Sequence, residues 1–373
     1  MKLNNKGFAI TAVLYGLLIL FVILVSSYLL ILSVKKDRVE DLVSSLENSY
    51  SGTMRKLNEH IYNLYTNANK VVATNNGIEY NYALSVSLMN DRLGGTTSDF
   101  DDGNLRYFGA TPNNYIYFNC DTYPDQNCEL WRIIGVFEDN VKIIRDESIG
   151  GLAWDHDKNQ GLNTNTYSNN WETSSLKQFL NGLYYNRGDI ATHMYYSWDD
   201  GSISTSVDLK EKGIKPSTRN LISESVWYLG GTYALENIYP NDLYEIERTD
   251  VVGETIHVDN PFSITANVGL MYISDYGYGT NLTKCNEDIL NYNNTDTCRT
   301  DNWIYNDKYQ WLITPNSIFS NTAATARDAG NVWSNVLVYS SYEVRPTLYL
   351  DENIYVNNVG DGTIENPYQI YYR

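Results

Sequence analysis

Histidine is scarce in this 373-residue chain, and its scarcity excludes a common class of enzyme. There are four histidines, none with an H-E-x-x-H neighbour or a second histidine at helical spacing, so a zinc hydrolase is not indicated. The chain also has no G-x-S-x-G nucleophile motif and no phosphate-binding P-loop. We therefore predict no catalytic residue and no cofactor. A surface hydrolase is kept as an alternative, because two carboxylates across a cleft leave no linear pattern.

One short stretch, residues 155–161 (DHDKNQG), orders its acids like a calcium loop. An EF-hand loop needs Gly at its sixth position and Glu at its twelfth, and Gln160 and Thr166 stand there instead. We interpret the stretch as a loop of solvated acids and predict no metal site.

Basic residues are few relative to acidic ones. The chain has 27 Lys+Arg against 45 Asp+Glu, and five of those bases but one of those acids precede residue 39. Residues 39–373 therefore carry 22 Lys+Arg and 44 Asp+Glu, a net charge of −22. Such a surface repels nucleic-acid phosphates, so we predict no nucleic-acid partner. The 33 tyrosines favour an exported binding surface.

Cysteine is also rare, and the four cysteines fall into two local pairs, Cys120 with Cys128 and Cys285 with Cys298. Neither pair has C-x2-C spacing or a nearby histidine, so a zinc site is not indicated. Asp, Asn and Thr surround all four, which is typical of exposed loops. We predict two disulfides and an oxidising compartment, with four free thiols in a cytosolic protein as the alternative.

Long apolar runs are absent except for one, residues 8–34, which contain no charge over 27 positions. A bilayer core of ~30 Å needs about 20 apolar residues in a helix, so this run predicts a transmembrane helix. Lys2 and Lys6 precede it and a basic cluster follows it, so flanking charge says little about orientation. We expect a single-pass plasma-membrane protein whose soluble part is extracytoplasmic.

The leader, residues 1–7, ends in Lys6-Gly7-Phe8 and resembles the processing site of type IV prepilins and pseudopilins. The resemblance covers about the first 34 residues and implies cleavage between Gly7 and Phe8, with the apolar helix kept on the mature protein. Pilins usually carry Glu at the fifth mature position, where this chain has Ala12. An uncleaved signal-anchor helix is the alternative, and a cleaved signal peptide is disfavoured because the apolar run is too long and no small-x-small site precedes the charges.

After the apolar run, the sequence predicts an amphipathic stalk helix over residues 35–77 and a linker over residues 78–104. Apolar residues recur three and four apart from Val39 to Leu64, which draws one stripe along a helix. That stripe would pack on the following domain or on another copy of the chain, which makes self-association or contact with pilin-like subunits a possible role. Turn residues at 74–77 are expected to end the helix.

Residues 105–373 are predicted to form a loop-rich α+β module with short antiparallel strands. Strands are expected at 115–118, 130–137, 141–144, 309–314 and 343–350, with a hairpin turn at 138–140. The segment 171–185 predicts a helix capped by Thr173 or Ser174. Alternation in the last strand predicts Val344 and Leu348 in the core and the other face away from it.

Several stretches of this module resemble an uncharacterised module of Gram-positive surface proteins. They include LRYFGATPNNYIYF at 105–118, ELWRIIGVF at 129–137, WETSSLKQFLNGLYYN at 171–186 and QWLITP at 310–315. The segment VRPTLYL at 344–350 is also similar to the end of C-type-lectin-like and formylglycine-generating-enzyme-like domains. That similarity implies a final strand pairing near the start of the domain and a loop-rich ligand face. We interpret Cys285 and Cys298 as closing a structural loop.

The segment 321–342 is the predicted ligand face, because aromatic, Asn and Arg side chains mix there with small residues. The candidate ligand-binding residues are Arg327, Asn331, Trp333, Asn335, Tyr339 and Tyr342. Arg327, Trp333 and Tyr339 are expected near one exposed surface. The alternative is a twisted hairpin in which Trp333 and Tyr339 pack inward.

Taken together, the sequence predicts a membrane-anchored, pilin-like bacterial cell-surface protein with an extracellular recognition or adhesion module. A glycan or a surface protein is the expected ligand. The alternative is a minor pilin or pseudopilin with a purely structural role in an assembly or secretion system.

Overall fold

A computed structural model describes residues 54–92, 103–156, 167–186, 192–196, 203–249 and 260–372, together with the single residues Leu18, Phe21 and Val25. The chain divides into two compact units, Met1–Met54 and Arg55–Arg373.

In the first unit, Leu18, Phe21 and Val25 are helical and exposed. Within the residues that the structure describes, no helix is both long enough and apolar enough to cross a membrane. The predicted leader, the processing site at Gly7 and Phe8, and most of the predicted span 8–34 lie outside the described residues. The same is true of the predicted stalk up to residue 53.

The second unit is α+β and mostly β. Its helices are α1 Leu57–Asn67, α2 Ser175–Phe179, α3 Leu209–Lys212, α4 Pro240–Arg248, α5 Ile273–Tyr278 and α6 Asp296–Thr300. Its strands are β1 Arg55–Lys56, β2 Val71–Asn75, β3 Ile78–Ala83, β4 Leu88–Asn90, β5 Leu105–Tyr107, β6 Tyr115–Phe118, β7 Glu129–Phe137, β8 Asn140–Arg145, β9 Gly151–Leu152, β10 Thr192–Tyr196, β11 Ile203–Asp208, β12 Ile222–Ser223, β13 Ser225–Tyr228, β14 Ser263–Ala266, β15 Gln310–Pro315, β16 Thr322–Ala326, β17 Val332–Leu337, β18 Tyr342–Glu343, β19 Thr347–Leu350, β20 Ile354–Val356 and β21 Ile370–Tyr372.

The largest sheet has, in the described part of the chain, the strand order β12-β19-β8-β7-β5-β4-β3-β2, and β6 also pairs with β7. Strands β7 and β8 form the predicted hairpin, with Ile133 opposite Ile143 and Val136 opposite Val141. The nearly continuous apolar run of β7 is typical of a strand covered on both faces. Gly135 is required there, because a Cβ at this position would collide with the carbonyl oxygen of Leu105 on β5.

The predicted stalk and linker differ from the structure. Helix α1 ends at Asn67, and residues 71–75 form a strand instead of the last turns of a helix. Asn76 and Gly77 have positive φ angles of 46° and 79°, and they join β2 to β3 as a hairpin. Asn-Gly is a hairpin turn sequence, and the prediction used it as a helix end. The predicted linker 78–104 therefore contributes β3 and β4 to the large sheet.

The helix predicted at 171–185 begins later, at Ser175. The Ser174 side chain accepts a hydrogen bond from the Lys177 backbone N–H at 3.2 Å, which confirms that residue as the cap. The helix continues as a π-helical turn over Leu180–Tyr184.

A second sheet has the order β17-β16-β15-β18-β9 in the described residues. The strand predicted at 343–350 is divided, because β18 belongs to this sheet and β19 to the large one. The expectation that one face of this segment lies away from the core is wrong. Arg345 is buried, and its guanidinium donates to the Arg145 carbonyl at 2.8 Å and the Ile304 carbonyl at 3.1 Å. Both faces are covered because the segment crosses between two sheets.

Four buried charged side chains join the large sheet to α5. Arg106 Nε donates to Asp91 at 2.5 Å, its Nη1 donates to Asp275 at 3.0 Å, and Lys142 Nζ donates to Asp275 at 2.5 Å. Burial alone would raise the pKa of Asp275, but Lys142 and Arg106 hold that pKa below its ordinary value. Burial lowers the pKa of Lys142 to about 8, against the opposing effect of Asp275. Each charge is therefore balanced by a direct partner.

Both predicted disulfides are present. The Cα atoms of Cys120 and Cys128 are 3.9 Å apart, and those of Cys285 and Cys298 are 4.8 Å apart. No cysteine is free. Two closed loops are consistent with an extracytoplasmic domain.

Candidate functional site

The predicted ligand face is built on the hairpin of β16 and β17. Every residue of β16 is buried, whereas β17 alternates between buried and exposed positions. Strand β17 is the last in the order of its sheet among the described residues, and its alternating burial shows that one of its faces is open to solvent. Trp333 is 44% exposed, and Asn335 and Leu337 are exposed on the same face.

Four side chains form a row that starts at Trp333, and we call Trp333, Arg327, Tyr309 and Tyr342 the aromatic row. The Arg327 guanidinium carbon lies 3.5 Å from the centre of the Trp333 ring. Its Nη2 donates to the Tyr309 hydroxyl at 2.8 Å. The Tyr309 ring stacks on Tyr342, with centroids 5.1 Å apart and planes at 21°. The row therefore crosses from β17 over the ends of β16 and β15 to β18.

The chemistry of this row is that of a polar binding surface. A guanidinium over an indole face forms a cation–π contact worth about 0.5–1 kcal/mol at exposed sites. The contact fixes Arg327 in place, so its donors are held ready at low entropic cost. Burial raises the pKa of Tyr342, so that hydroxyl stays protonated at neutral pH. The row thus combines flat aromatic faces with fixed hydrogen-bond donors.

The turn between β16 and β17 is held by its neighbours. Gly330 adopts a φ of +94°, and its N–H donates to the Arg327 carbonyl at 2.9 Å. The Tyr276 hydroxyl donates to the Gly330 carbonyl at 2.8 Å, and the Tyr305 hydroxyl donates to the Asp328 carbonyl at 2.6 Å. These bonds set the positions from which Arg327 and Trp333 project.

Asn331 belongs to this support and not to the exposed face. It is 4% exposed, and its side-chain amide donates to the Leu290 carbonyl at 2.9 Å. Its predicted role as a ligand contact is therefore replaced by a structural one. The reason is geometric, because Asn331 directly precedes the first residue of β17 and its amide is directed to the loop closed by Cys285 and Cys298.

Tyr339 lies in the turn after β17 and is partly buried. It packs against Tyr167, with ring centroids 4.8 Å apart, and has no recorded contact with the aromatic row among the described residues. Arg327 and Trp333 are thus together as expected, while Tyr339 has a separate partner. Tyr309 was missed, because the sequence assigned it only to a strand. Tyr309 directly precedes β15, and its ring, like that of Trp311, contacts Tyr342 on β18, a contact that no local pattern displays.

The predicted loop of solvated acids at 155–161 is wrong for Asp155. This residue is 6% exposed, and its carboxylate accepts hydrogen bonds from the backbone N–H groups of Ser168 and Ser175, each at 3.0 Å. It orders the local backbone. Residues 157–166 lie outside the described residues. In the described part of the chain, no group of three or more His, Cys, Asp or Glu side chains is placed to hold a metal ion.

Comparison of the chain with family models, curated proteins and solved structures finds no match.

Proposed function

We propose that this chain is a membrane-anchored, pilin-like bacterial cell-surface protein whose second unit recognises a glycan through the aromatic row. The observation that carries the proposal is Trp333, which is 44% exposed and has the Arg327 guanidinium 3.5 Å from its ring centre. Leaving a large apolar side chain in water forfeits on the order of 2–3 kcal/mol of burial. Leu337, which is 38% exposed on the same face of β17, adds to the exposed apolar surface, and an extended apolar surface is typical of a place that a ligand covers.

A glycan fits this surface better than other polar ligands. Sugar rings have apolar faces that pack on aromatic side chains, and their hydroxyls accept hydrogen bonds from guanidinium and phenol groups. The net charge of −22 on residues 39–373 disfavours strongly anionic ligands. A neutral, polyhydroxylated ligand avoids this repulsion.

The proposed anchor and compartment have separate support. Two disulfides favour an oxidising compartment. Leu18, Phe21 and Val25 are exposed apolar residues in helical conformation, as a membrane anchor requires. In the second unit, β19 of the VRPTLYL segment pairs with β8, which lies in the first part of the 105–373 module. That arrangement is consistent with the proposed lectin-like fold.

Trp333→Ala is expected to weaken glycan binding by about 10- to 30-fold, which corresponds to roughly 1.4–2 kcal/mol. The substitution removes the largest flat face of the row and the ring that holds Arg327. The measurement is binding of the full-length chain in detergent to a glycan array, followed by titration with the best glycan.

Tyr372→Ala is the matched control, because Tyr372 is an exposed aromatic side chain at 50% exposure outside the row. It should leave glycan binding unchanged. If folded Trp333→Ala binds every array member as the wild type does, the recognition proposal fails. A structural subunit of a pilin-like assembly is then the better interpretation, and a protein ligand would appear as binding to surface proteins alone.

Processing at the leader is expected to leave Phe8 as the mature N-terminus. The reason is the Lys6-Gly7-Phe8 sequence directly before the apolar run. N-terminal sequencing of the protein from a host with a prepilin peptidase measures it, and a host without that enzyme is the control. Recovery of intact Met1 in both hosts would identify a plain signal anchor, and a terminus beyond Val34 would contradict anchoring.

A further inference from the structure

A cavity of about 340 Å³ lies beside β13 and α4, and it shares no residue with the aromatic row. Its volume falls within the range of small-molecule sites, roughly 300–1,000 Å³. Tyr228, Tyr244 and Tyr349 line it together with Arg248, and Glu138 and Glu224 line it as exposed acids. The cavity therefore combines aromatic walls, one guanidinium and two carboxylates.

Arg248 is the deeper charged group of the cavity. Its side chain is 18% exposed, whereas Glu138 and Glu224 are exposed residues. The guanidinium carbon lies 3.6 Å from the centre of the Tyr244 ring, which fixes its plane. A cation at the C-terminal end of α4 interacts favourably with the helix dipole. That interaction does not require the guanidinium to line a cavity.

The nearest carboxylate, Glu247, is committed to other partners. Its Oε1 accepts from the Ser274 backbone N–H at 3.0 Å, and its Oε2 accepts from the Ser274 hydroxyl at 2.5 Å. Arg248 Nη1 reaches Glu247 only at 3.5 Å. Burial raises the pKa of Glu247 above its ordinary value.

The recorded hydrogen bonds of Arg248, among the described residues, all start from Nη1. They go to Glu247 and to the Tyr244 carbonyl at 3.2 Å. The other donors of the guanidinium are left for a partner in the cavity. A carboxylate matches the planar fork of a guanidinium and can take two parallel hydrogen bonds from it.

The two exposed glutamates restrict the ligand further. They oppose a polyanion such as a nucleotide, because each added negative charge would meet Glu138 and Glu224. A ligand that carries both a carboxylate and a positive group can pair with both signs of charge in the lining. The tyrosine rings supply contact area for the uncharged part of such a ligand.

We propose that this cavity binds a small zwitterion, a free amino acid or a short peptide. Its carboxylate pairs with Arg248, its ammonium faces Glu138 and Glu224, and its side chain packs on the tyrosines. A free amino acid and a short peptide both carry a carboxylate and an ammonium group, and the test below distinguishes between them.

The test is isothermal titration of the full-length chain in detergent with the twenty amino acids and with a set of dipeptides. We expect saturable binding of at least one member of either set. N-acetylation of the best probe should weaken it about tenfold, since the ammonium is lost, and amidation of its carboxylate should weaken it at least as much. Binding of dipeptides alone identifies a peptide site, and binding of amino acids alone identifies a metabolite site.

Arg248→Gln should reduce affinity at least 30-fold, while Lys70→Gln, which removes an exposed cation outside the cavity, should not change it. Because Arg248 is partly buried, Glu224→Gln provides a second variant at an exposed position. It should weaken the zwitterion several-fold and leave the N-acetylated probe unaffected. Trp333→Ala should bind the zwitterion normally, so failure here is separable from failure of glycan recognition. Absence of saturable binding by every probe, or equal binding by folded Arg248→Gln, overturns the proposal.

Discussion

Asp275→Asn is expected to destabilise the second unit by about 3–5 kcal/mol. Asp275 is the only recorded anionic partner of Lys142 and one of two for Arg106 among the described residues, and all three side chains are at most 1% exposed. The substitution keeps the size of the side chain and removes its charge. Lys142 then loses its anionic partner and Arg106 keeps only Asp91, which costs far more than an exposed ion pair is worth. Chemical denaturation followed by tryptophan fluorescence measures the change.

Asp301→Asn is the matched control for this substitution. It removes the same charge from an ion pair with Lys284 whose side chains are 58% and 21% exposed. It should cost less than about 1 kcal/mol. The double variant Asp275→Asn with Lys142→Met should be more stable than Asp275→Asn alone, because an unpaired ammonium is removed from a site ringed by aromatic side chains. Equal effects of Asp275→Asn and Asp301→Asn would contradict the assigned role.

The same network predicts how the difference between wild type and Asp275→Asn depends on pH. The folded-state pKa of Asp275 is below its ordinary value of 3.8, so its carboxylate contributes stability above that pH. The contribution is lost as the pH falls through the lower, folded-state pKa. The stability difference should therefore be full at neutral pH and should shrink only below pH 3.8.

The core strands were predictable because local pattern and tertiary environment agree in them. Strands β6, β7 and β8 are apolar runs separated by turn residues, and Glu138 takes the positive φ of 54° that the turn requires. Ser174 was likewise recognisable as a cap from its position before an apolar helical face. These features depend on neighbours in sequence, which is why the sequence alone reveals them.

The region before residue 105 was mispredicted for a physical reason. The same Asn-Gly sequence serves both as a hairpin turn and as a helix end, and the strands on each side decide between them. Strand β3 is buried through Tyr80 and Tyr82, which pack with Phe108 and Tyr278 far along the chain. A segment whose core partners lie so far away in sequence shows only a weak local pattern.

In the candidate sites too, contacts between neighbours in sequence were predictable and contacts between distant segments were not. Arg327 and Trp333 lie in one hairpin, so their proximity was predictable from a single segment. Tyr309 joins them through the pairing of β15 with β16, which the sequence does not display. The cavity around Arg248 draws on residues from 104 to 349, and no local pattern marks such a set.

The Cys285–Cys298 disulfide connects stability with the aromatic row. The loop that this disulfide closes contains Leu290, whose carbonyl accepts a hydrogen bond from the side-chain amide of Asn331. Arg299, which directly follows Cys298, packs closely on Gly330, because a Cβ at Gly330 would lie 2.7 Å from the Arg299 side chain. The loop therefore supports the turn from which Arg327 and Trp333 project. The Cys120–Cys128 loop instead precedes β7, and the Cys120 carbonyl accepts from the Ser217 hydroxyl at 2.6 Å.

Replacing Cys285 and Cys298 by Ala is expected to cost roughly 2–3 kcal/mol of the free energy of unfolding, because the closed loop restricts the unfolded chain. Replacing Cys120 and Cys128 should cost a similar amount, since loop closure depends only weakly on loop length. The two variants should differ at the ligand face. Only loss of Cys285–Cys298 should speed amide exchange at Arg327 and Gly330 and weaken glycan binding. Denaturation midpoints, hydrogen exchange and array titration measure the three effects. Equal exchange at this turn in both variants would show that the disulfide stabilises the fold without positioning the aromatic row.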